Sequence, residues 1–358
     1  MRTLSRHLAA RFVQLFLVIT CIAALAIVVV ELLLDLDGVL AWGDGWRGAF
    51  AYLGLRLASE YASYVVPVTA FLAAFLAAAQ LASSNEWTAM KAGGVSLAAA
   101  ATPILVSGLA LAVAMAAFHE SVGLEARRAW NRQRDDAPTL RFRNGAFWVH
   151  RGPWIFRVAD ADEASDALFD VRLFERDAEG DLRRSIDARS AAVGEGDRWT
   201  LRDAVVREYP PGDAAALPTV RREDRLELAI ADPPGRAALR PDVRALSIAG
   251  LREYIAAREA RGADGSRPRA ALYGRVADWI AIALLVALAI PIGLETERTR
   301  SIGRTASLAT LALAVFFAVR SVGAVLAAQA LVPPAVVSAG LVALLAAGAG
   351  SALARAPR

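Results

Sequence analysis

Apolar residues dominate six long stretches, 11–34, 61–82, 97–118, 276–294, 305–328 and 335–354, whereas residues 120–275 are charged and contain no comparable run. Each stretch holds roughly 20 predominantly apolar residues, enough at about 1.5 Å per residue to cross a ~30 Å hydrocarbon layer. The pattern predicts six transmembrane helices, three on either side of an inserted region. The first is preceded by Arg2, Arg6 and Arg11. It is long for a signal peptide and lacks a small-residue cleavage site, so it is expected to remain as an anchor.

Inside the inserted region the period changes to two. Residues 147–150, 154–158, 168–175, 184–193, 199–207 and 225–230 are short alternating runs separated by Gly, Asp and Pro, the pattern of a β-sandwich or jelly roll. After a break at 232–235, Ser247 reads as the N-cap of a helix with Leu251, Tyr254 and Ile255 on one face. Residues 261–269, with Gly262, Gly265 and Pro268, read as a joint before span four. The expected organisation is 1–119 (spans one to three), 120–275 (β-jelly-roll domain and return helix) and 276–358 (spans four to six).

Between spans two and three lies a polar dozen, SSNEWTAMKAGG, at 83–94. Ser83 and Glu86 have the spacing of a capping box, and Gly93 and Gly94 supply a stop. A capped helix with Trp87 and Met90 on one side is more than a linker needs, and suggests a docking surface. Arg and Lys in the short loops set the orientation: Arg2, Arg6 and Arg11 at the start, Lys91, then Arg298, Arg300 and Arg304, and Arg355 and Arg358 at the end mark the cytoplasmic side. The loop at 35–60, with Asp35, Asp37, Asp44 and Glu60, suits the opposite face. Both termini and 83–94 are then cytoplasmic, and the β-domain is extracytoplasmic.

Composition sharpens this reading. The chain of 358 residues is 56% hydrophobic with a mean hydropathy of +0.40, above the roughly 45–50% apolar content of soluble domains. Its net charge of +4 comes from Arg interleaved with acids, with no basic stripe for nucleic acid. Cys21 is the single cysteine, which excludes a disulfide framework or thiolate metal site. His7, His119 and His150 are scattered, and there is no metal motif, G-x-S-x-G elbow or phosphate-cradling G-x-x-x-x-G-K-[ST] loop. If ATP drives this protein, a separate subunit binds it.

Ionisable residues at bilayer depth are costly and usually face protein or water. Glu31, Arg56, Glu60, Arg275, Asp278 and Arg320 all fall in the extracytoplasmic half, Arg320 roughly 23 Å in from the cytoplasmic start of its span. Such a cluster suits a site for a charged amphiphile. The competing reading is snorkelling and helix-end anchoring; for the tryptophans, interfacial belts and β-domain core suffice.

The string Ser84-Asn85-Glu86-x-x-Ala89-Met90-Lys91-Ala92-Gly93-Gly94-Val95-Ser96, with Leu246-Ser247-x-x-x-Leu251-x-x-Tyr254-Ile255 before span four, resembles the LptF/LptG permeases of the lipopolysaccharide-export ABC transporter. The second string leans toward the LptG type. The resemblance implies six spans with a periplasmic β-jelly roll, in the inner membrane of a Gram-negative bacterium. It implies a non-catalytic subunit that pairs with a second permease and docks on a cytoplasmic LptB-type ATPase dimer, which alone uses ATP and Mg. Lipopolysaccharide would enter a cavity between the permeases, with Glu31, Arg56, Glu60, Arg275, Asp278 and Arg320 as its charged residues, and pass to LptC/LptA-type periplasmic proteins. Residues 83–94 would be the coupling helix, docking through Ser84, Asn85, Glu86, Trp87, Met90 and Lys91. One departure is span one, which carries Glu31, Asp35 and Asp37 where the family commonly places basic residues. Two other classes fit the bare pattern: a membrane-anchored periplasmic scaffold or signalling protein, and an intramembrane lipid-modifying enzyme.

Overall fold

The computed structural model describes residues 2–42, 45–134, 141–143, 146–162, 167–177, 180–193, 198–210, 217–230, 242–260, 264–296 and 302–355. Asp44, the 232–235 break, Gly262, Arg298, Arg300 and Arg358 lie outside them. In chain order the helices are α1 (Arg2–Leu34), α2 (Leu36–Ala41), α3 (Gly45–Arg56), α4 (Ala62–Ser83), α5 (Glu86–Ala92), α6 (Leu97–Phe118) and α7 (Leu124–Arg134). Seven strands follow: β1 (Arg141–Arg143), β2 (Ala146–Arg151), β3 (Trp154–Asp162), β4 (Ala167–Arg176), β5 (Leu182–Val193), β6 (Arg198–Glu208) and β7 (Thr219–Ala229). Then come α8 (Ile248–Glu259), α9 (Ser266–Leu294), α10 (Ile302–Ala328) and α11 (Pro334–Arg355). π-helical turns at Leu57–Tyr61 and His119–Gly123 join α3 to α4 and α6 to α7. The chain divides into two compact units, residues 1–127 with 269–358, and residues 128–268.

The first unit contains the predicted spans. Among the described residues six stretches are long and apolar enough to cross a membrane: Thr3–Leu34, Gly45–Ser83, Leu97–Asn131, Ser266–Leu294, Gly303–Ala328 and Pro334–Arg355. The second has 39 residues and the third 35, so at 1.5 Å per residue they reach about 58 and 52 Å and overshoot the hydrocarbon layer. α4 is the central helix, with Ala70, Ala73, Ala74, Ala77 and Ala78 all buried. Small residues let backbones approach where lipid supplies no hydrophobic drive for association. A Cβ on Gly293 of α9 would lie 2.5 Å from the Phe75 carbonyl oxygen of α4, and one on Gly108 of α6 would lie 2.8 Å from Val286 of α9. Thr20 donates to Thr69 at 3.0 Å across α1 and α4.

The second unit holds a seven-stranded antiparallel sheet, β1 to β7 in chain order. The inserted domain is therefore β, as the alternation predicts, and its strands pair as a meander. β1, three residues long, was too short to show a period. Register aligns Phe156, Leu173, Ile186 and Val206 across four strands, and all four are buried. The Ser247 cap is present: its Oγ accepts from the Gly250 N–H at 3.1 Å. Leu251, Tyr254 and Ile255 are buried, and Tyr254 Oη and Arg258 Nη1 donate to Asp160 Oδ1 at 3.0 and 2.6 Å. These bonds fasten α8 to β3.

Candidate functional site

Residues 83–94 differ from the capping-box expectation. Ser83 is the last residue of α4, and its Oγ donates to the Gln80 carbonyl at 3.2 Å, so it does not cap the next helix. Asn85 takes the left-handed conformation (φ 59°) and turns the chain; α5 starts at Glu86 without a side-chain cap. Asn tolerates that region better than most residues, which explains why the break falls there. The stop forms as expected. Gly94 has φ 76°, and the Gly93 and Val95 N–H groups donate to the Ala89 and Met90 carbonyls at 3.0 and 2.9 Å, satisfying the helix end.

Trp87 is only 1% exposed and packs into the span core with Met90 partly buried beside it. It faces the core of the unit and not the exposed side of α5. Hydrophobic burial turns it inward and makes it the anchor of α5, with Lys91 Nζ 5.5 Å from its ring centroid. Ser84, Asn85 and Glu86 are exposed, as are Thr88 and Ala89. The Glu86 carboxylate accepts from Arg11 Nη1 at 3.3 Å, while Arg11 Nε donates to Gln80 Oε1 at 3.0 Å. α5 is thus tied to α1 and α4.

The six charged residues lie at the opposite end. Arg11 and Glu31 are twenty residues apart on α1, about 30 Å along a helix. The buried Glu31 accepts from Arg56 Nε at 3.2 Å and from the Tyr61 hydroxyl; Arg56 also pairs with Glu60. Asp278 on α9 and Arg320 on α10 form a two-point pair, both bonds 2.6 Å, with the guanidinium 5.0 Å from the Tyr64 ring centroid on α4. Arg275 on α9 donates to Glu120 at 3.3 Å, and His119 meets Trp279 edge to face at 6.0 Å.

These residues thus gather at one end of the unit but as three clusters, each an ion pair between helices. Glu60, Tyr61, His119 and Glu120 belong to the two π-helical turns, which meet where a Cβ on Gly123 would lie 3.5 Å from the Ala58 carbonyl oxygen. Such turns are frequent at functional sites. Glu31, Glu60, Glu120 and Asp278 set four carboxylates against three guanidiniums, an excess of one negative charge and not a cationic patch. Partly buried pairs of this kind cost most when one partner is removed and the other is left uncompensated. Among the described residues no three His, Cys, Asp or Glu side chains are placed to share a metal ion.

Sequence reasoning did not reach Glu120, Tyr61 or Tyr64 as partners. The apolar run ends at 118, which put Glu120 in the inserted region, whereas the helix continues through the π-helical turn to Arg134. Tyr61 and Tyr64 carry no signal of their own, since any tyrosine near a span end resembles an interfacial anchor.

A model of the family described as lipopolysaccharide export system permease LptF/LptG matches residues 6–356. No curated protein shows a significant match.

Proposed function

The chain belongs to the LptF/LptG family of lipopolysaccharide export permeases, and from that membership we propose that it is one permease subunit of an ATP-driven exporter whose nucleotide is bound and hydrolysed by a separate cytoplasmic ATPase. It is a multi-pass membrane protein and a transport component, not a catalyst. In the proposed arrangement it sits in the inner membrane with cytoplasmic termini, pairs with a second permease, and holds the β-domain in the periplasm. Lipopolysaccharide drawn from the outer leaflet then passes to LptC/LptA-type proteins. The LptG-type string around Ser247 favours that member of the pair.

The observation that carries the proposal is the polarity of the first unit. An exposed helix start at Ser84–Glu86, fastened by Trp87 and Arg11, lies about 30 Å along α1 from the Glu31–Arg56 cluster. A partner pushing on α5 would act on α1 through Arg11 and on α4 through the covalent link at Ser84. The anionic phosphates of the substrate would engage Arg56, Arg275 or Arg320 by displacing the carboxylates that now hold them.

Co-purification with the cognate ATPase tests the docking step. Exposed ion pairs contribute about 0–1 kcal/mol, so Glu86→Ala should leave insertion and stability intact while reducing ATPase recovery. Arg11→Gln is the control, since it breaks the same pair but leaves the carboxylate. Equal loss in both variants would assign Glu86 to the pair alone, and full recovery in Glu86→Ala would remove its docking role.

A further inference from the structure

One face of the β-domain carries a surplus of charge that docking and the ion-paired clusters leave unused. Phe156, Leu173, Ile186 and Val206 line up across β3 to β6 with their side chains buried inside the sheet. Successive side chains in a strand point to opposite faces, so the adjoining register row points outward. That row is Trp148 on β2, Arg157 on β3, Arg172 on β4, Asp187 on β5, Val205 on β6 and Arg222 on β7. Arg207, two residues beyond Val205, shares the face. Asp187 accepts from both Arg172 and Arg207, and Arg157 donates to Asp170 at 3.3 Å. With Arg222, four guanidiniums meet two carboxylates. Beyond this level the charge is balanced, Arg189 pairing with Asp203 and Arg225 with Glu227. Trp148 and Phe174 stack at the β2 end of the row, ring centroids 6.3 Å apart and planes 8° from parallel.

We infer, on the basis of the lipopolysaccharide-permease reading, that this outer face of the sheet binds the phosphorylated saccharide of the exported lipid. Charge is the first argument. Asp187 is divided between two arginines and Arg222 adds a further cation, so the face selects an anionic ligand. Exchange is the second. Arg172 is 45% exposed, Arg207 35% and Asp187 26%, and pairs this open to water contribute little. A phosphate can therefore replace the Asp187 carboxylate at small cost, and the planar fork of arginine matches phosphate oxygens two at a time. Extent is the third. From Arg157 on β3 to Arg222 on β7 is four strand spacings, about 19 Å, the reach of an oligosaccharide with several anionic groups and not of one phosphate. The Trp148–Phe174 stack adds a flat apolar surface for a sugar ring at one end. At the level of Phe156 to Val206 the inner side of the sheet is apolar and closed, so a charged ligand meets the outer side.

Calorimetric titration of the full chain in detergent micelles tests this with intact lipopolysaccharide, the same material stripped of its acyl chains, and the stripped saccharide after phosphatase treatment. The stripped saccharide should bind, and phosphatase treatment should weaken it by about tenfold or more, as expected for lost charge-assisted bonds. The double variant Arg172→Gln, Arg207→Gln should weaken it as much. Asp187→Asn, which releases both arginines, should tighten binding several-fold, a gain that a damaged fold would not give. Arg222→Gln supplies an independent loss if the double variant fails to fold. Unchanged binding across these variants overturns the inference. So does binding of intact but not of stripped lipopolysaccharide, which leaves the permease reading standing, whereas binding of neither counts against both. A poly-glutamate peptide bound as tightly as the saccharide would overturn it too, by giving the face to an acidic protein.

Discussion

The Arg320–Asp278 pair sets a quantitative test of the ion-paired end. It joins α10 to α9 by two bonds of 2.6 Å, with each side chain 21% exposed. Arg320→Gln leaves a carboxylate in a poorly hydrated site, and removing one partner of a buried pair costs about 3–5 kcal/mol. The residual exposure lets water replace part of what is lost, which lowers the expected cost to about 2–4 kcal/mol. Asp278→Asn should cost a similar amount, because it leaves the guanidinium uncompensated over Tyr64. The double variant removes both charges and should recover much of the loss, giving a coupling of about 2 kcal/mol in a double-mutant cycle. Unfolding of the full chain in mixed micelles, followed by circular dichroism, measures all four corners. Additive effects, or single-variant costs below about 0.5 kcal/mol, would refute the reasoning that the pair clamps α9 to α10. Photocrosslinking to lipopolysaccharide then tests the exchange of partners. Asp278→Asn should raise the yield by releasing the guanidinium and Arg320→Gln should lower it; equal yields would exclude Arg320 from substrate contact.

Two further outcomes follow from buried aromatics. Trp87→Ala should cost about 3–5 kcal/mol, read as faster hydrogen exchange in 86–95 with the spans unchanged, whereas Trp87→Phe should be nearly neutral. Its Nε1 is buried without a hydrogen-bond partner, a cost of about 1–3 kcal/mol that phenylalanine escapes; unchanged exchange in the alanine variant would remove Trp87 as the anchor of α5. In the β-domain, burial, reinforced by Asp160, pushes the Tyr254 hydroxyl up to about 12 from an ordinary value of 10.0. The folded state thus holds this proton more tightly, so the contribution is complete below pH 10 and is lost as pH rises from 10 to 12. A pH titration of the stability of the full chain should show this decline, and Tyr254→Phe should abolish it; an identical decline in that variant would assign it to another group.

Much of the fold was legible because its signals are local. Six apolar runs of membrane length and an alternating middle region are properties of composition and period, and each strand of residues 146–229 was marked by its own alternation. The Ser247 cap and the Gly93–Gly94 stop depend on a residue and its near neighbours, so they too were readable. The capping box at Ser83 failed for an equally local reason: the apolar run of α4 carries the helix through Ser83, and Asn85 absorbs the turn instead. The charged residues were found one by one through their cost in lipid, but not their pairing.

The sequence by itself determined the six apolar spans, the inserted β-domain and the family signature at 84–96, because hydrophobic transfer and hydrogen-bond periodicity act along the chain. Only the tertiary structure decided that Trp87 faces inward and that Glu120 and Tyr64 complete ion-paired clusters. Those outcomes depend on which helices pack side by side, where a few small residues at close crossings select among many arrangements that the apolar pattern alone would allow.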